Sequence, residues 1–235
     1  MQIEHNIAIT LERINRAADN YNRKRSTISL LAVSKKQSVE AIQAAVAAGL
    51  IDFGENYVQE AEQKIQQLQA LNLSWHYIGV IQSNKTQSIA RLFNWVHSVD
   101  RIKLARRLSN QRPADMPPLN ICLQVNIDNE EGKSGFDAAH ISAAVNEINC
   151  LPRLQLRGLM AIPAQLESKA EQRASFSRMR ALFDSVKDAI DSVNDRASFD
   201  TLSMGMSADL ELAIAEGATI VRVGTDIFGP RDKPA

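Results

Sequence analysis

The sequence predicts a (β/α)8 barrel of the α/β class, preceded by one additional helix. Three observations support this fold class. The 235 residues contain eight short apolar runs typical of strands, a helical pattern follows each of the first seven runs, and no low-complexity linker divides the chain. Alternating strands and helices pair in parallel through right-handed crossovers, and eight such units close into a barrel of about 250 residues. A doubly wound open sheet is the main alternative. We expect one domain over residues 1–235.

The first element is an amphipathic helix over about residues 3–23. It carries acidic residues and lacks the apolar core and cleavage site of a signal peptide. We expect it to plug or flank the barrel, since it precedes the first strand.

The barrel elements then alternate along the chain. The first strand is the run "ISLLAVS", which is apolar enough to be covered on both faces. Strands are predicted at 28–34, 51–55, 74–79, 94–99, 120–127, 153–162, 199–204 and 219–224. Helices are predicted at 38–49, 58–71, 85–93, 101–111, 137–149, 167–193 and 207–218, and the eighth strand is followed by the short tail "TDIFGP". Within the helix predicted at 58–71, Glu60 and Lys64 are expected to form an ordinary i,i+4 pair.

Composition narrows the function classes. Hydrophobic residues make up 45% and charged residues 23%, as in soluble globular proteins. The 27 basic and 27 acidic residues cancel, so nothing indicates a nucleic-acid or anionic-membrane partner, and no apolar run is long enough to span a bilayer. We expect Cys122 and Cys150 to be reduced, buried thiols, which favours the cytoplasm.

The carboxyl ends of barrel strands are where function is expected. Lys35 and Lys36 follow the first strand, and neighbouring strand residues point opposite ways, so only one of them can face the barrel mouth. A desolvated lysine is a nucleophilic amine that forms a Schiff base with a carbonyl compound. The alternative is a solvated lysine at a strand end.

The loops after strands seven and eight, "SMGMS" and "RVGTDIFG", are rich in glycine and hydroxyl residues. Such loops often bind phosphate in barrels of this class, and Ser207 is predicted to be the N-cap of the following helix. The alternative is a plain helix cap and a plain turn. From residue chemistry alone, the combination favours a Schiff-base aldolase acting on a phosphorylated sugar.

Taken together, "LLAVSK", "FGENYVQE", "WHYIGVIQSNK", "RLQLRGLMAIP" and "LSMGMSADLELAIAEGATIVRVGTDIFG" resemble the pyridoxal phosphate homeostasis protein family over residues 1 to about 231. That family is similar to the N-terminal barrel of alanine racemase, of fold type III. The resemblance implies that pyridoxal 5′-phosphate (PLP) is held as a Schiff base on Lys35. It also implies a position near the ring for Asn56, near its pyridine nitrogen for Arg222, near the phosphate for Met206, Ser207, Gly224 and Thr225, and on the barrel wall for His76.

The resemblance further implies a PLP carrier that serves PLP homeostasis and delivery rather than an enzyme. A guanidinium beside the ring nitrogen cannot accept a proton, which weakens the ring as an electron sink. A PLP-dependent amino-acid racemase of low activity is the second hypothesis. PLP-dependent apo-enzymes are the expected recipients and a monomer the expected state. Lys133, in the loop after strand five, is a candidate amine for handover of PLP, or else a solvated loop lysine.

Overall fold

A closed barrel of eight parallel strands forms the centre of the computed structural model, which describes residues 2–164 and 168–230. The strands are β1 (Ser29–Val33), β2 (Asp52–Glu55), β3 (Ser74–Tyr77), β4 (Trp95–Val99), β5 (Leu119–Gln124), β6 (Leu154–Met160), β7 (Thr201–Ser203) and β8 (Ile220–Val223). Each strand pairs with the next along the chain, and β1 pairs with β8, with Leu31 opposite Arg222. The predicted (β/α)8 class is therefore confirmed, and closure excludes the open sheet.

Ten α-helices lie among the described residues. They are α1 (Gln2–Asn20), α2 (Val39–Ala47), α3 (Val58–Gln67), α4 (Thr86–Leu92), α5 (Ile102–Gln111), α6 (Ile141–Asn149), α7 (Lys169–Asp188), α8 (Val193–Ser198), α9 (Leu210–Ala215) and α10 (Thr225–Phe228). None of the described helices has the length and apolar character needed to cross a bilayer. The additional N-terminal helix is present as predicted.

The prediction of one uninterrupted helix over 167–193 is wrong, because the helix ends before residue 193. The chain forms two helices, α7 and α8, because Ser192 begins a new helix by accepting a hydrogen bond from the N–H of Asp195. The predicted first residue, 167, lies outside the described residues.

The segment after β8 is also more ordered than predicted. Instead of a tail, residues 225–228 form α10, whose backbone is tied to α1 by a 3.0 Å hydrogen bond from Nδ2 of Asn6 to the carbonyl oxygen of Ile227. The bond joins positions 221 residues apart. The N-terminal helix thus lies beside the last loop of the barrel.

The layer between sheet and helices is a continuous apolar core that includes Phe53, Phe93 and Phe176. The barrel interior differs, because buried polar side chains cross it, whereas aliphatic residues usually dominate such interiors. His97 on β4 bonds Ser203 on β7, three strands away, so the bond must pass through the interior.

The two cysteines occupy different environments. Both are free thiols, and Cys122 on β5 is buried as predicted, but Cys150 is exposed. The prediction for Cys150 is wrong because it follows the last residue of α6, where the helix reaches the surface.

Candidate functional site

A cavity of about 270 Å³ opens at the carboxyl ends of the strands. All seven predicted site residues line it: Lys35, Asn56, Met206, Ser207, Arg222, Gly224 and Thr225. Five further residues complete its wall: Val33, Ile78, Met160, Ile162 and Ala208. The cavity is close to the lower end of the size range of small-molecule pockets.

Lys35 lies in a turn that follows β1. The N–H of Ser34 still pairs with the sheet through Gly54, and the N–H of Gln37 closes the turn on the carbonyl of Ser34 at 3.0 Å. Lys36 has a positive φ of 61°, which carries the chain away from the mouth. Lys35 lines the cavity and Lys36 does not, as predicted. The reason is the turn, however, rather than strand alternation.

A buried ion network lies behind this turn. Lys64, on α3, donates to Glu55 at 2.8 Å and to Glu60 at 2.6 Å, and the hydroxyl of Ser34 also donates to Glu55 at 2.7 Å. Burial raises the pKa of the Glu55 carboxyl, while the charge and hydrogen bond of Lys64 oppose that shift. The predicted i,i+4 pair of Glu60 and Lys64 is present. Lys64 is only 5% exposed, however, and also bonds Glu55, so the pair is part of a buried network.

The loop after β7 supplies Met206 and Ser207. Gly205 has φ +91°, and a Cβ there would lie 2.4 Å from Cβ of Ala213, so the loop requires glycine. Ser207 was predicted to be the N-cap of the following helix, α9, and that prediction is wrong. Residues 207–209 form a turn, and Asp209 takes the cap position while its carboxylate accepts the N–H of Met206 at 2.6 Å.

Arg13, on α1, joins the two loops and has no counterpart in the sequence-based prediction. Its Nη2 donates to the carbonyl of Ser207 at 3.0 Å, its Nε donates to Glu211 at 2.7 Å, and its Nη1 donates to Asp226. The N-terminal helix therefore holds the loops that carry Ser207 and Thr225.

Arg222 reaches the cavity from inside the barrel. Its Nη1 donates to the carbonyl and hydroxyl of Ser203 at 2.7 and 2.8 Å, and its Nη2 donates to the carbonyl of Ala161 at 2.9 Å. Burial lowers the pKa of the guanidinium to about 10. Arg222 therefore remains charged at neutral pH, held by neutral acceptors.

The donor set fits a phosphorylated aromatic aldehyde. Lys35 provides an amine, Ser207 and Thr225 provide hydroxyl donors for an anion, and Arg222 provides N–H groups for a ring acceptor. Oδ1 of Asn56 is buried and has no hydrogen-bond partner among the described residues, so a polar ligand group would satisfy it. The sequence analysis did not predict the apolar residues of the cavity wall. Ile78 and Met160 could have been found, because they lie at strand ends, where residues that line the site are expected.

Other candidate residues lie apart from the cavity. Lys133 pairs with Glu130 on the loop after β5 and is not among the lining residues, so its role in handover remains a prediction. No cluster of metal-ligating side chains occurs within residues 2–164 and 168–230.

Comparison of the sequence with known families and proteins gives consistent matches. The model of the alanine racemase N-terminal domain matches residues 9–232. A pyridoxal phosphate homeostasis protein of Pseudomonas aeruginosa is 53% identical over 230 residues, 98% of this chain and 96% of that protein. One of Escherichia coli K12 is 46% identical over 233 residues, 98% of this chain and 97% of that protein.

Solved structures agree. The structure of PipY of Synechococcus elongatus with PLP bound has a TM-score of 0.77 and is 38% identical in sequence. The match covers 92% of this chain and 100% of PipY. Alanine racemase of Corynebacterium glutamicum has a TM-score of 0.67 at 14% identity, over 96% of this chain and 60% of that enzyme. The second likeness concerns the fold alone.

Proposed function

The chain belongs to the pyridoxal phosphate homeostasis protein family, and on that premise we propose that it binds PLP covalently through Nζ of Lys35. The observation that carries the proposal is the single cavity in which Lys35, Arg222, Ser207 and Thr225 meet. PLP supplies an aldehyde, an electron-withdrawing ring and a phosphate, and these four side chains match the three groups. PipY, a structural relative, has PLP bound.

Each lining residue has a distinct role in this proposal. Nζ of Lys35 would be the nucleophile toward the aldehyde, with water as the leaving group. Ser207 and Thr225 donate hydrogen bonds to the phosphate, beside Met206 and Gly224. The guanidinium of Arg222 donates to the pyridine nitrogen and, being a donor only, keeps that nitrogen unprotonated. Asn56 binds a polar substituent of the ring.

We infer a carrier that maintains and delivers PLP in the cytosol, with apo-enzymes as recipients and a monomer as the working unit. Lys35 and Arg222 are the only ionisable side chains among the described residues that line the cavity. Racemisation requires a proton donor and acceptor on opposite faces of the bound amino acid. This pair does not provide them, since Arg222 is held by Ser203 and Ala161.

Absorbance spectroscopy of the purified protein tests the covalent link. We expect a yellow protein that loses its colour on borohydride reduction and retains a pyridoxyl group on Lys35, located by mass spectrometry. Lys35→Arg keeps the charge and removes the nucleophile, and Lys36→Arg is the matched control on the neighbouring residue. A colourless protein that takes up no PLP contradicts the proposal and favours the aldolase hypothesis.

A further inference from the structure

A chain of buried polar side chains runs through the barrel interior and ends on Arg222. Nη1 of Arg222 lies 2.8 Å from Oγ of Ser203, which lies 2.8 Å from Nδ1 of His97. Nε2 of His97 lies 2.9 Å from Nδ1 of His76, and Nε2 of His76 lies 3.2 Å from Oδ1 of Asp52. The chain therefore connects strands β8, β7, β4, β3 and β2 across the interior.

The two ends of the chain fix its direction. Arg222 can only donate hydrogen bonds, and the Asp52 carboxylate can only accept them. Oγ of Ser203 accepts from Arg222, which leaves its own hydrogen for Nδ1 of His97. His97 then donates from Nε2 to His76, and His76 donates from Nε2 to Asp52. Each bond has one donor and one acceptor, and both histidines are neutral.

The opposite direction fails at Asp52. If His76 donated from Nδ1 to His97, its bare Nε2 would face the carboxylate with no hydrogen between them. Oγ of Ser74, 3.1 Å from Nε2 of His76, could donate to the bare nitrogen, but it would place no hydrogen between that nitrogen and the carboxylate. Burial also lowers the pKa of both imidazoles, which agrees with two neutral rings.

Packing holds the imidazole planes. The ring of Trp95 stacks on His76 with centroids 5.4 Å apart and planes 4° apart, and the rings of Trp95 and His97 are 5.9 Å apart. His76 and His97 are 3% and 0% exposed, so water does not compete for their nitrogens. The tautomers are thus set by the protein itself.

We propose that Asp52, His76, His97 and Ser203 are positioning residues that orient Arg222 toward the ring nitrogen of PLP. The inference rests on the proposed function and extends it from the cavity to a chain across the barrel. The hydroxyl of Ser203 is the acceptor that links this chain to the guanidinium. The direction in which the hydroxyl hydrogen points depends on the fixed tautomer of His97. Loss of that hydroxyl removes one of the two acceptors that Nη1 has on Ser203.

Imidazole ¹⁵N NMR of the protein without added PLP tests the direction of the chain. We expect His76 and His97 both to carry their proton on Nε2 at pH 7.5. The resonances are assigned with His5→Gln and His140→Gln, which replace the two exposed histidines. A cationic ring, or a proton on Nδ1 of either buried histidine, overturns the proposal whether or not PLP binds.

The PLP-loaded protein tests the effect on Arg222. In Ser203→Ala we expect the ring-nitrogen ¹⁵N resonance of bound PLP to move and the dissociation constant of PLP to rise roughly three- to tenfold. Ser109→Ala is the matched control, because its buried hydroxyl bonds the carbonyl of Pro152 away from the barrel interior. His97→Leu breaks the chain one bond further from Arg222 and must move the same resonance. This second variant tests the proposal even if Ser203→Ala fails to fold.

Three outcomes separate this inference from the proposed function. The inference is supported if the wild type takes up PLP and Ser203→Ala changes both the ring-nitrogen resonance and the dissociation constant, while Ser109→Ala changes neither. Wild-type uptake with an unchanged Ser203→Ala spectrum and affinity overturns this inference alone. A wild-type protein that binds no PLP overturns the proposed function and the role of the chain together, while the tautomer measurement still reports whether the chain exists.

Discussion

The ammonium group of Lys64 donates a hydrogen bond to the carbonyl oxygen of Ser34 at 2.7 Å, one residue before Lys35. On the other side of Lys35, the N–H of Lys36 donates to Glu60, which itself pairs with Lys64. Helix α3 thus holds the backbone on both sides of the proposed nucleophile. The left-handed conformation of Lys36 is retained because Glu60 accepts its N–H.

Replacing Lys64 with methionine is expected to destabilise the protein strongly. Lys64→Met preserves the length of the side chain but leaves Glu55, which is fully buried, without its cation. Breaking a buried pair on one side typically lowers the free energy of unfolding by about 3–5 kcal/mol. Urea denaturation measures the change, and slower PLP uptake by the folded fraction would report loss of the Lys35 turn.

Two variants control this prediction. Arg16→Met removes the cation of an exposed i,i+4 pair with Glu12 and is expected to change stability by less than about 1 kcal/mol. Glu55→Gln combined with Lys64→Met removes both charges and should recover part of the loss. A single Lys64→Met variant as stable as Arg16→Met would contradict the role assigned to the network.

The hydroxyls of Ser207 and Thr225 are expected to contribute affinity only for phosphorylated ligands. Ser207→Ala and Thr225→Val each remove one hydroxyl from the cavity wall while preserving approximate side-chain volume. Hydrogen bonds to charged groups contribute about 1.5–3 kcal/mol, so each change should weaken PLP binding roughly tenfold or more. Fluorescence titration with PLP measures this effect.

Pyridoxal, which lacks the phosphate, is the matched ligand. Both variants should bind pyridoxal as the wild type does, since the amine of Lys35 and the ring contacts are unchanged. An equal loss of affinity for pyridoxal and PLP would show that the two loops position the ring or Lys35 instead of the phosphate.

The barrel was predictable because its signals are local. Each strand is a short apolar run next to a helical pattern, and parallel pairing with crossovers leaves few topologies for eight such units. The errors fall where local signals conflict. Ser207 precedes a helical pattern as an N-cap does, but the Asp209 carboxylate captures the N–H of Met206 and delays the helix to Leu210.

The support of the site was not predictable from sequence, because its partners are far apart along the chain. Arg13 and Ser207 are separated by 194 residues, and His97 and Ser203 by 106. A lone arginine on an amphipathic helix, or a histidine in a strand, carries no sign of such a partner. By contrast, the residues in the cavity lie at strand ends, where the fold class already indicated where to look.

Stability is expected to fall as the pH drops below about 6.5, through His76 and His97. Burial lowers the pKa of both imidazoles from the usual 6.5, with Asp52 opposing the shift at His76 and Arg222 adding to it at His97. The unfolded chain therefore binds protons that the folded protein does not. Each histidine lowers the free energy of unfolding by about 1.4 kcal/mol per pH unit below 6.5, down to its folded pKa.

Urea denaturation at intervals between pH 8 and pH 5.5 measures this slope, above the range in which most carboxylates titrate. The double variant His76→Leu, His97→Leu should have a flatter dependence, although it is less stable at every pH. His140→Gln controls for the loss of a surface histidine. A wild-type curve that stays level from pH 8 to pH 5.5 would contradict neutral, buried imidazoles.

The last prediction concerns Arg13, which lies outside the barrel and yet contacts the loops after β7 and β8. These are the two loops that we propose to bind phosphate, called the phosphate loops below. Arg13→Met removes its bonds to the carbonyl of Ser207 and to the carboxylates of Glu211 and Asp226. About a third of the side chain is exposed, at 30%, so water weakens these ion pairs and the effect on folding should be small. The loops, however, lose their common anchor.

We therefore expect weaker binding of PLP, roughly three- to tenfold, with little change for pyridoxal. Arg16→Met is again the control, since Arg16 lies one turn further along α1 and pairs only with Glu12 among the described residues. If Arg13→Met binds PLP like Arg16→Met, then α1 merely covers the barrel. If it weakens PLP and pyridoxal equally, the helix acts on the whole cavity rather than on the phosphate loops. A selective loss for PLP would show that the N-terminal helix, although added to the barrel, is part of its phosphate site.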